Sequence, residues 1–303
     1  MSNVISIQLT NDRMTPISVS IIVPCYNASS TLDLCIDGLL AQAGEFESVE
    51  ILIIDNNSSD DTAAIAGRRA GVTLLHAATQ GAYAARNAGV RAAQGDFLVF
   101  TDPDCVPKAD WLTQLMAPFA SSEVKITNGR SLLASDSVAM RTMQDYEHVK
   151  DGQILGGSDP DLYYGHTNNM AVRREVFDAN GPFDERMRGG DVICIRRCIE
   201  RWGCEAVCYV GAAEVVHLEM DGIVTYIRKV YLYGWSNSLY SQIVPSQVAE
   251  PSGRWALFRS VCRDRAYALP RQLLLLGLMG IEGFAWWLGT RRGRGIDASE
   301  PTT

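Results

Sequence analysis

The sequence has no glycine-rich phosphate loop of either common type, so nucleotide binding at a helix N-terminus is not indicated. It has no CxxC pair, although eight cysteines are present, four of them at 194, 198, 204 and 208. Cys194 and Cys198 could share a helix face, which keeps a zinc site conceivable, but buried free thiols are the commoner outcome of such spacing. There is no long basic run before Arg291, Arg292 and Arg294, and the formal charge is −8, which argues against nucleic acid as the main partner. The first residues, MSNVISIQLTNDRM, lack the basic start and apolar core of a secretory signal. A reducing cytoplasmic setting with free thiols is the expectation. Internal repeats are also missing, and low complexity is confined to the extreme C-terminus.

What is present suits a folded enzyme-sized chain: 303 residues, 47% hydrophobic and 20% charged. VSIIV (Val19–Val23), VEILIID ending in Asp55, a short run at Val72–His76, and FLVFT (Phe97–Thr101) read as strands. Helical patterns separate them, from about Ser30 to Ala43, from about Asp60 to Gly71, and across Ala82–Ala93. Apolar runs rather than alternation predict a parallel sheet covered on both faces, hence an α/β fold with ligands at the carboxyl ends of its strands. Residues 125–135 read as a further strand, 145–170 as irregular structure, and RGGDVICIRRCIERWG as a helix ended by Gly203.

Those strand ends carry the chemistry. The fourth strand runs straight into Asp102–Pro103–Asp104, two like charges that repel and lose hydration if buried. A cation would offset that cost, and oxygen ligands on a strand-end loop suit a hard divalent ion such as Mg²⁺ or Mn²⁺. The competing reading is a solvated turn.

VSIIVPCYN, IIDNNSSDDT and GAYAARNAGVRAAQGDFLVFTDPDC, in that order, resemble the inverting nucleotide-sugar transferases of glycosyltransferase family 2, over residues from about 17 to 235. The later NNMAVRREVFDANGPFDE looks like the family's acceptor-side loop and helix. The resemblance implies a GT-A, Rossmann-like fold with a mostly parallel central sheet flanked by helices. It also implies transfer of a sugar from a nucleoside diphosphate, with a UDP-sugar the expected donor, to a glycan, lipid-linked or other hydroxyl acceptor. Surface polysaccharide or glycolipid synthesis is the implied setting. By position, Asp55 and the Pro24–Tyr26 loop would hold the base, and Arg86 and Asn87 would lie near the nucleotide and diphosphate. Asp102 would hold the ribose or a metal-bound water, Asp104 would coordinate the metal, and His217 would sit near the metal or diphosphate. Asp191 would be the general base, the competing reading being a helix cap.

The chain departs from the family at Asn57, where glycine is frequent, at Ala28–Ser29, where glutamate is frequent, and at Gly190–Asp191, where the family has a Glu-Asp pair. The loss at 190 favours a second hypothesis, a non-catalytic nucleotide-sugar or glycan-binding subunit; retention of Asp102, Asp104 and Asp191 opposes it. A nucleotidyltransferase would need a basic, glycine-rich N-terminal loop, and IIVPCYNASS is neither. The expected layout is a transferase domain at about 1–235, with a nucleotide-sugar half to about 120 and an acceptor half after it, then a helical extension at 236–303. Within that extension ALPRQLLLLGLMGIEGFAWWLG is strongly apolar, but its uncharged stretch Gln272–Ile281 falls well short of the ~20 residues of a spanning helix. One reading is a core helix. The other is a monotopic element on the inner face of the cell membrane, with Trp286 and Trp287 at headgroup level and the arginines on anionic lipid.

Overall fold

The computed structural model describes residues 18–43, 46, 48–186, 188–247 and 251–294; the N-terminal segment read above as lacking a secretory signal lies outside them. In chain order the strands are β1 (Ser18–Cys25), β2 (Ser48–Asp55), β3 (Thr73–His76), β4 (Phe97–Thr101), β5 (Cys105–Pro107), β6 (Ile126–Leu133), β7 (Asn169–Arg173) and β8 (Val207–His217). The helices are α1 (Leu32–Ala43), α2 (Thr62–Arg68), α3 (Ala82–Ala92), α4 (Trp111–Met116), α5 (Val138–Leu155), α6 (Arg174–Asn180), α7 (Gly190–Trp202), α8 (Ile223–Tyr240), α9 (Pro251–Asp264) and α10 (Leu269–Gly293).

All eight strands form one sheet in the order β3-β2-β1-β4-β7-β6-β8-β5. The first four in sequence pair in parallel, each crossover carried by a helix. Beyond β4 the sheet is mixed: β7 runs antiparallel to β4 and β6, and β5 antiparallel to β8. The mostly parallel sheet expected from sequence is thus the N-terminal half of a mixed one.

The apolar runs are continuous because both faces are covered. Val19, Ile21 and Val23 enter a core with Leu32, Ile36 and Leu39 of α1 and Trp111 of α4, whereas Ile22 faces the opposite core with Ala85 of α3 and Ile195 of α7. Cys194 and Cys198 lie in that second core, where burial pushes the Cys198 thiol up to about 12 and raises Cys194 further. They are packing thiols, not zinc ligands.

Two expectations need correction. Residues 145–170 are not irregular throughout, because α5 occupies Val138–Leu155, opened by Ser137 accepting a hydrogen bond from the Met140 amide at 3.1 Å. The boundary expected after residue 235 falls inside α8, which runs on to Tyr240.

The C-terminal helix is neither a core helix nor free. Leu275, Leu278, Met279, Glu282, Ala285 and Gly289 are buried, while Leu269, Leu273, Leu276, Phe284 and Trp287 are exposed along the other side. Glycine makes the close approach to α8 possible: a Cβ on Gly289 would lie 2.0 Å from the Tyr231 carbonyl oxygen, and one on Gly234 2.2 Å from that of Trp286.

Candidate active site

A cavity of about 1120 Å³ opens at the carboxyl ends of β1 and β4. Pro24, Tyr26, Arg86, Asp102, Asp104, Asp191 and His217 all line it. Asp55 and Asn87 do not.

The Asp102–Pro103–Asp104 turn is closed by the Cys105 amide, which donates to the Asp102 carbonyl at 3.0 Å. Each carboxylate has its own basic neighbour. Arg86 Nη2 lies 2.5 Å from Asp102 Oδ1, and His217 Nδ1 lies 3.0 Å from Asp104 Oδ2. The chain itself therefore offsets the cost that the sequence seemed to assign to a metal alone.

His217 arrives by register. β5 pairs with the end of β8 so that Cys105 faces His217, and the Leu218 amide donates to the Asp104 carbonyl at 2.8 Å. Lys229 Nζ sits 2.9 Å from His217 Nε2. Burial alone would raise the Asp104 carboxyl, but the neighbouring His217 and the Lys229 charge hold it below its ordinary range.

Asp104, Cys105 and His217 bring one donor atom each within 4.8 Å of one another. His217 Nδ1 is buried and makes no hydrogen bond of acceptable geometry despite its nearness to the carboxylate. Such an orphaned nitrogen beside a carboxylate fits a divalent cation. Cys105 is a poor member of the set, since burial and the two aspartates keep its thiol protonated. A cation on Nδ1 requires the ring proton on Nε2, so Lys229 would have to turn away.

Asp191 lies in the first turn of α7, after Gly189 at the cap position, so it is not the N-cap itself. Its Oδ1 accepts from the Tyr83 hydroxyl at 2.7 Å and from the Val192 amide at 3.0 Å. Tyr83 precedes Arg86 by one helical turn, and the guanidinium lies 5.2 Å from its ring centroid. The departure at 190 has a steric reason: a Cβ there would meet the Tyr83 ring at 3.1 Å and the Asp184 carbonyl at 2.9 Å. Gly190→Ala is accordingly expected to cost about 1–3 kcal/mol by overpacking, measured by denaturant unfolding.

The other departures and the two absentees are equally local. Asn57 has φ 64°, a left-handed conformation that asparagine tolerates almost as glycine does. Asp55 ends β2 with its carboxylate 3.3 Å from His76 Nδ1 and 3.3 Å from the Ser58 amide, outside the cavity wall. Asn87 is structural. Its amide donates to the Phe183 carbonyl at 2.9 Å and to Glu185 at 2.7 Å, and its Oδ1 accepts from the Phe183 amide at 3.0 Å.

Sequence reasoning missed Tyr83, Lys229 and a second set of charged wall residues, Glu147, Lys150, Arg254 and Glu282. Tyr83 could have been found from its helical spacing to Arg86. Tyr226, Lys229, Val230 and Tyr233 likewise recur at one-face spacing on α8.

A helix-covered sheet whose strand ends present paired carboxylates to one large cavity is the architecture of a GT-A transferase. Residues 20–181 match the profile of glycosyl transferase family 2, more than half of the 303 residues, and the chain belongs to that family. Glycosyltransferase AglE of Haloferax volcanii is 28% identical over 190 residues, covering 60% of this chain and 61% of that protein. The uncharacterized glycosyltransferase EpsJ of Bacillus subtilis is 38% identical over 184 residues, covering 56% of this chain and 52% of that protein. The chain thus matches only about half to three fifths of the length of these relatives. The mannosyltransferase PcManGT of Pyrobaculum calidifontis, solved with GDP-Man and Mn²⁺, superposes with a TM-score of 0.61 over 92% of this chain and 85% of that one, at 17% identity. That likeness establishes the shared fold.

Proposed function

We propose that the enzyme moves a sugar, with inversion, from a nucleotide sugar to a hydroxyl of a glycan or lipid-linked acceptor in surface glycan synthesis, with Mn²⁺ or Mg²⁺ as cofactor and a UDP-sugar as donor. The observation that carries this reading is the gathering of Asp102, Asp104 and His217 with Asp191 around one cavity. The Pro24–Tyr26 loop, on the cavity wall, would receive the nucleoside. Arg86, buried and paired with Asp102, orients that carboxylate. Asp102, Asp104 and His217 would hold the divalent ion, which when bound supplies positive charge to the leaving diphosphate. Asp191 would take the acceptor proton, oriented by Tyr83. The AglE and EpsJ relationships support sugar transfer as the chemistry.

A thermal-shift panel of UDP- and GDP-sugars with Mn²⁺ tests the proposal. A matching donor at about 100 times its Kd adds about 2.7 kcal/mol of stability, a clear rise in Tm. If no nucleotide sugar shifts the melt or is turned over with metal, the proposal falls.

Peripheral membrane contact belongs to the same proposal. The outer stripe of α10, Leu269, Leu273, Leu276, Phe284 and Trp287, recurs at helical spacing on a side that none of the described residues covers. Arg291 stacks 5.3 Å from the Trp287 centroid, and Arg292 follows at the same end. Length and composition would also let this 25-residue helix cross a membrane. Its committed inner face favours lying in the interface instead, because Glu282 pairs with Lys150 and Arg254. The full chain should sediment with anionic liposomes, less so at high salt, and the double substitution Phe284→Glu, Trp287→Glu should abolish most of that binding. Unchanged sedimentation of the double variant would remove α10 from the membrane.

A further inference from the structure

The donor residues occupy only part of the cavity wall. Its volume, about 1120 Å³, exceeds the ~300–1,000 Å³ usual for a single small-molecule site. The remaining wall comes from α5, α8, α9 and α10, and it is charged. Glu147 and Lys150 stand one turn apart on α5, with Lys150 Nζ 2.6 Å from Glu147 Oε2 and 3.9 Å from Glu282 Oε1. Arg254 Nη2 of α9 lies 3.4 Å from Glu282 Oε2, and the Tyr226 hydroxyl donates to Glu147 at 2.7 Å.

Packing does not account for this cluster. Glu282 is the one acidic residue of α10, and it points inward, where an apolar side chain would serve stability as well or better. Glu147 and Lys150 retain 26% and 22% side-chain exposure, and both line the cavity. Burial raises the Glu282 carboxyl above its ordinary range against the pull of Lys150, while Lys150 itself is held protonated by Glu147 and Glu282 despite its burial. The wall therefore offers both donors and acceptors to whatever enters.

Charge decides the class of ligand. Two carboxylates oppose a phosphate, and Lys150 with Arg254 opposes a cation. A neutral polyhydroxylated ring suits both signs at once, since every hydroxyl donates and accepts. Lys150 lies over the Tyr146 and Tyr164 rings, 5.4 Å and 5.8 Å from their centroids, and Trp286 of α10 also lines the wall. His166 stands on the same wall, 4.0 Å from Asp151, which also accepts from the Tyr164 hydroxyl.

We infer that Glu147, Lys150, Arg254 and Glu282, with the flanking tyrosines, form a subsite for a neutral sugar ring of the acceptor, so that α10 builds part of the reaction chamber. The inference rests on the glycosyl-transfer proposal above. It also ties the outer stripe of α10 to the cavity, because the same helix presents Glu282 on its opposite side.

Saturation-transfer NMR on the full chain tests the subsite directly, with p-nitrophenyl glycosides of glucose, galactose, mannose and N-acetylglucosamine as probes. A parallel titration with UDP and GDP in Mn²⁺ reports the donor end. At least one glycoside should receive saturation from the wild type, and Glu282→Gln should weaken its affinity about tenfold, the loss of one charged hydrogen bond. His166→Ala, on a side chain 34% exposed, gives a second variant in which folding is less at stake, and it should weaken the same glycoside. Nucleotide binding without any glycoside saturation, or with unchanged affinity in both variants, overturns the subsite while leaving the donor proposal standing. Failure of both nucleotides to bind overturns the donor proposal on its own terms.

Discussion

Asp104→Asn is expected to leave a folded protein whose metal-dependent turnover falls by at least about 10²–10³-fold, because the charge aimed at the leaving diphosphate is lost. Asparagine keeps the shape of a side chain that is 7% exposed and leaves the turn hydrogen bonds of Asp102 and Leu218 to the backbone. Alanine is the poorer test, since it empties a buried site and strands His217 and Lys229 beside each other. Mn²⁺ titration of turnover checks the assignment. Full activity in the variant, or in wild type under excess chelator, would remove the metal from Asp104. The same substitution has a pH signature. The wild-type carboxyl is held below its ordinary range, so its contribution to stability is full above about pH 4 and fades as pH falls through the lowered value. The asparagine variant should lack that acid-dependent loss, read as a flatter Tm against pH below about 4.

The parts of the site legible in sequence are those fixed by local pattern. A buried strand must end somewhere, and carboxylates placed at that end face the crevice of an α/β sheet, which is why Asp102 and Asp104 could be read directly. Arg86, which came only with the family resemblance, lies on α3 and lines the cavity. Asn87 follows Arg86 directly, and adjacent residues on a helix stand about 100° apart. One therefore faces the cavity while the other clamps the 183–185 segment. α5 was hidden by its own function: Glu147 and Lys150 turn polar atoms into a cavity inside the fold, and this blurs the contrast between a buried and a solvated face. Glu282 read as an interruption of an apolar run, whereas it is the residue that joins that run to the site. The pairing of β5 with β8, more than a hundred residues apart in sequence, sets His217 against Asp104 and has no local signal at all.

Asp191→Asn should fold, bind nucleotide with Mn²⁺, and lose transfer by roughly 10²–10⁴-fold, the usual contribution of a general base. An acceptor hydroxyl is a weak nucleophile, and single-step inversion needs a carboxylate to receive its proton as the new bond forms. That group must approach from the side opposite the leaving diphosphate, so it cannot be Asp102 or Asp104. Asp191 is a carboxylate on another element, α7, lining the same cavity. A purely structural role predicts something different. The structural work of Asp191 consists of accepting from Tyr83 at 2.7 Å and from the Val192 amide at 3.0 Å, and an asparagine oxygen can do both. Loss of helix-start stabilisation would in any case cost about 1 kcal/mol, far less than the rate effect. Tyr83→Phe separates orientation from chemistry, since it removes the 2.7 Å hydrogen bond and leaves the carboxylate in place. It should lower kcat far less than Asp191→Asn, because the carboxylate itself is kept. Single-turnover transfer across pH measures both variants together. Near-normal transfer by Asp191→Asn would return that residue to the start of α7 as a structural group and pass the base to another carboxylate on the cavity wall, with Glu185 and Glu219 the next to substitute.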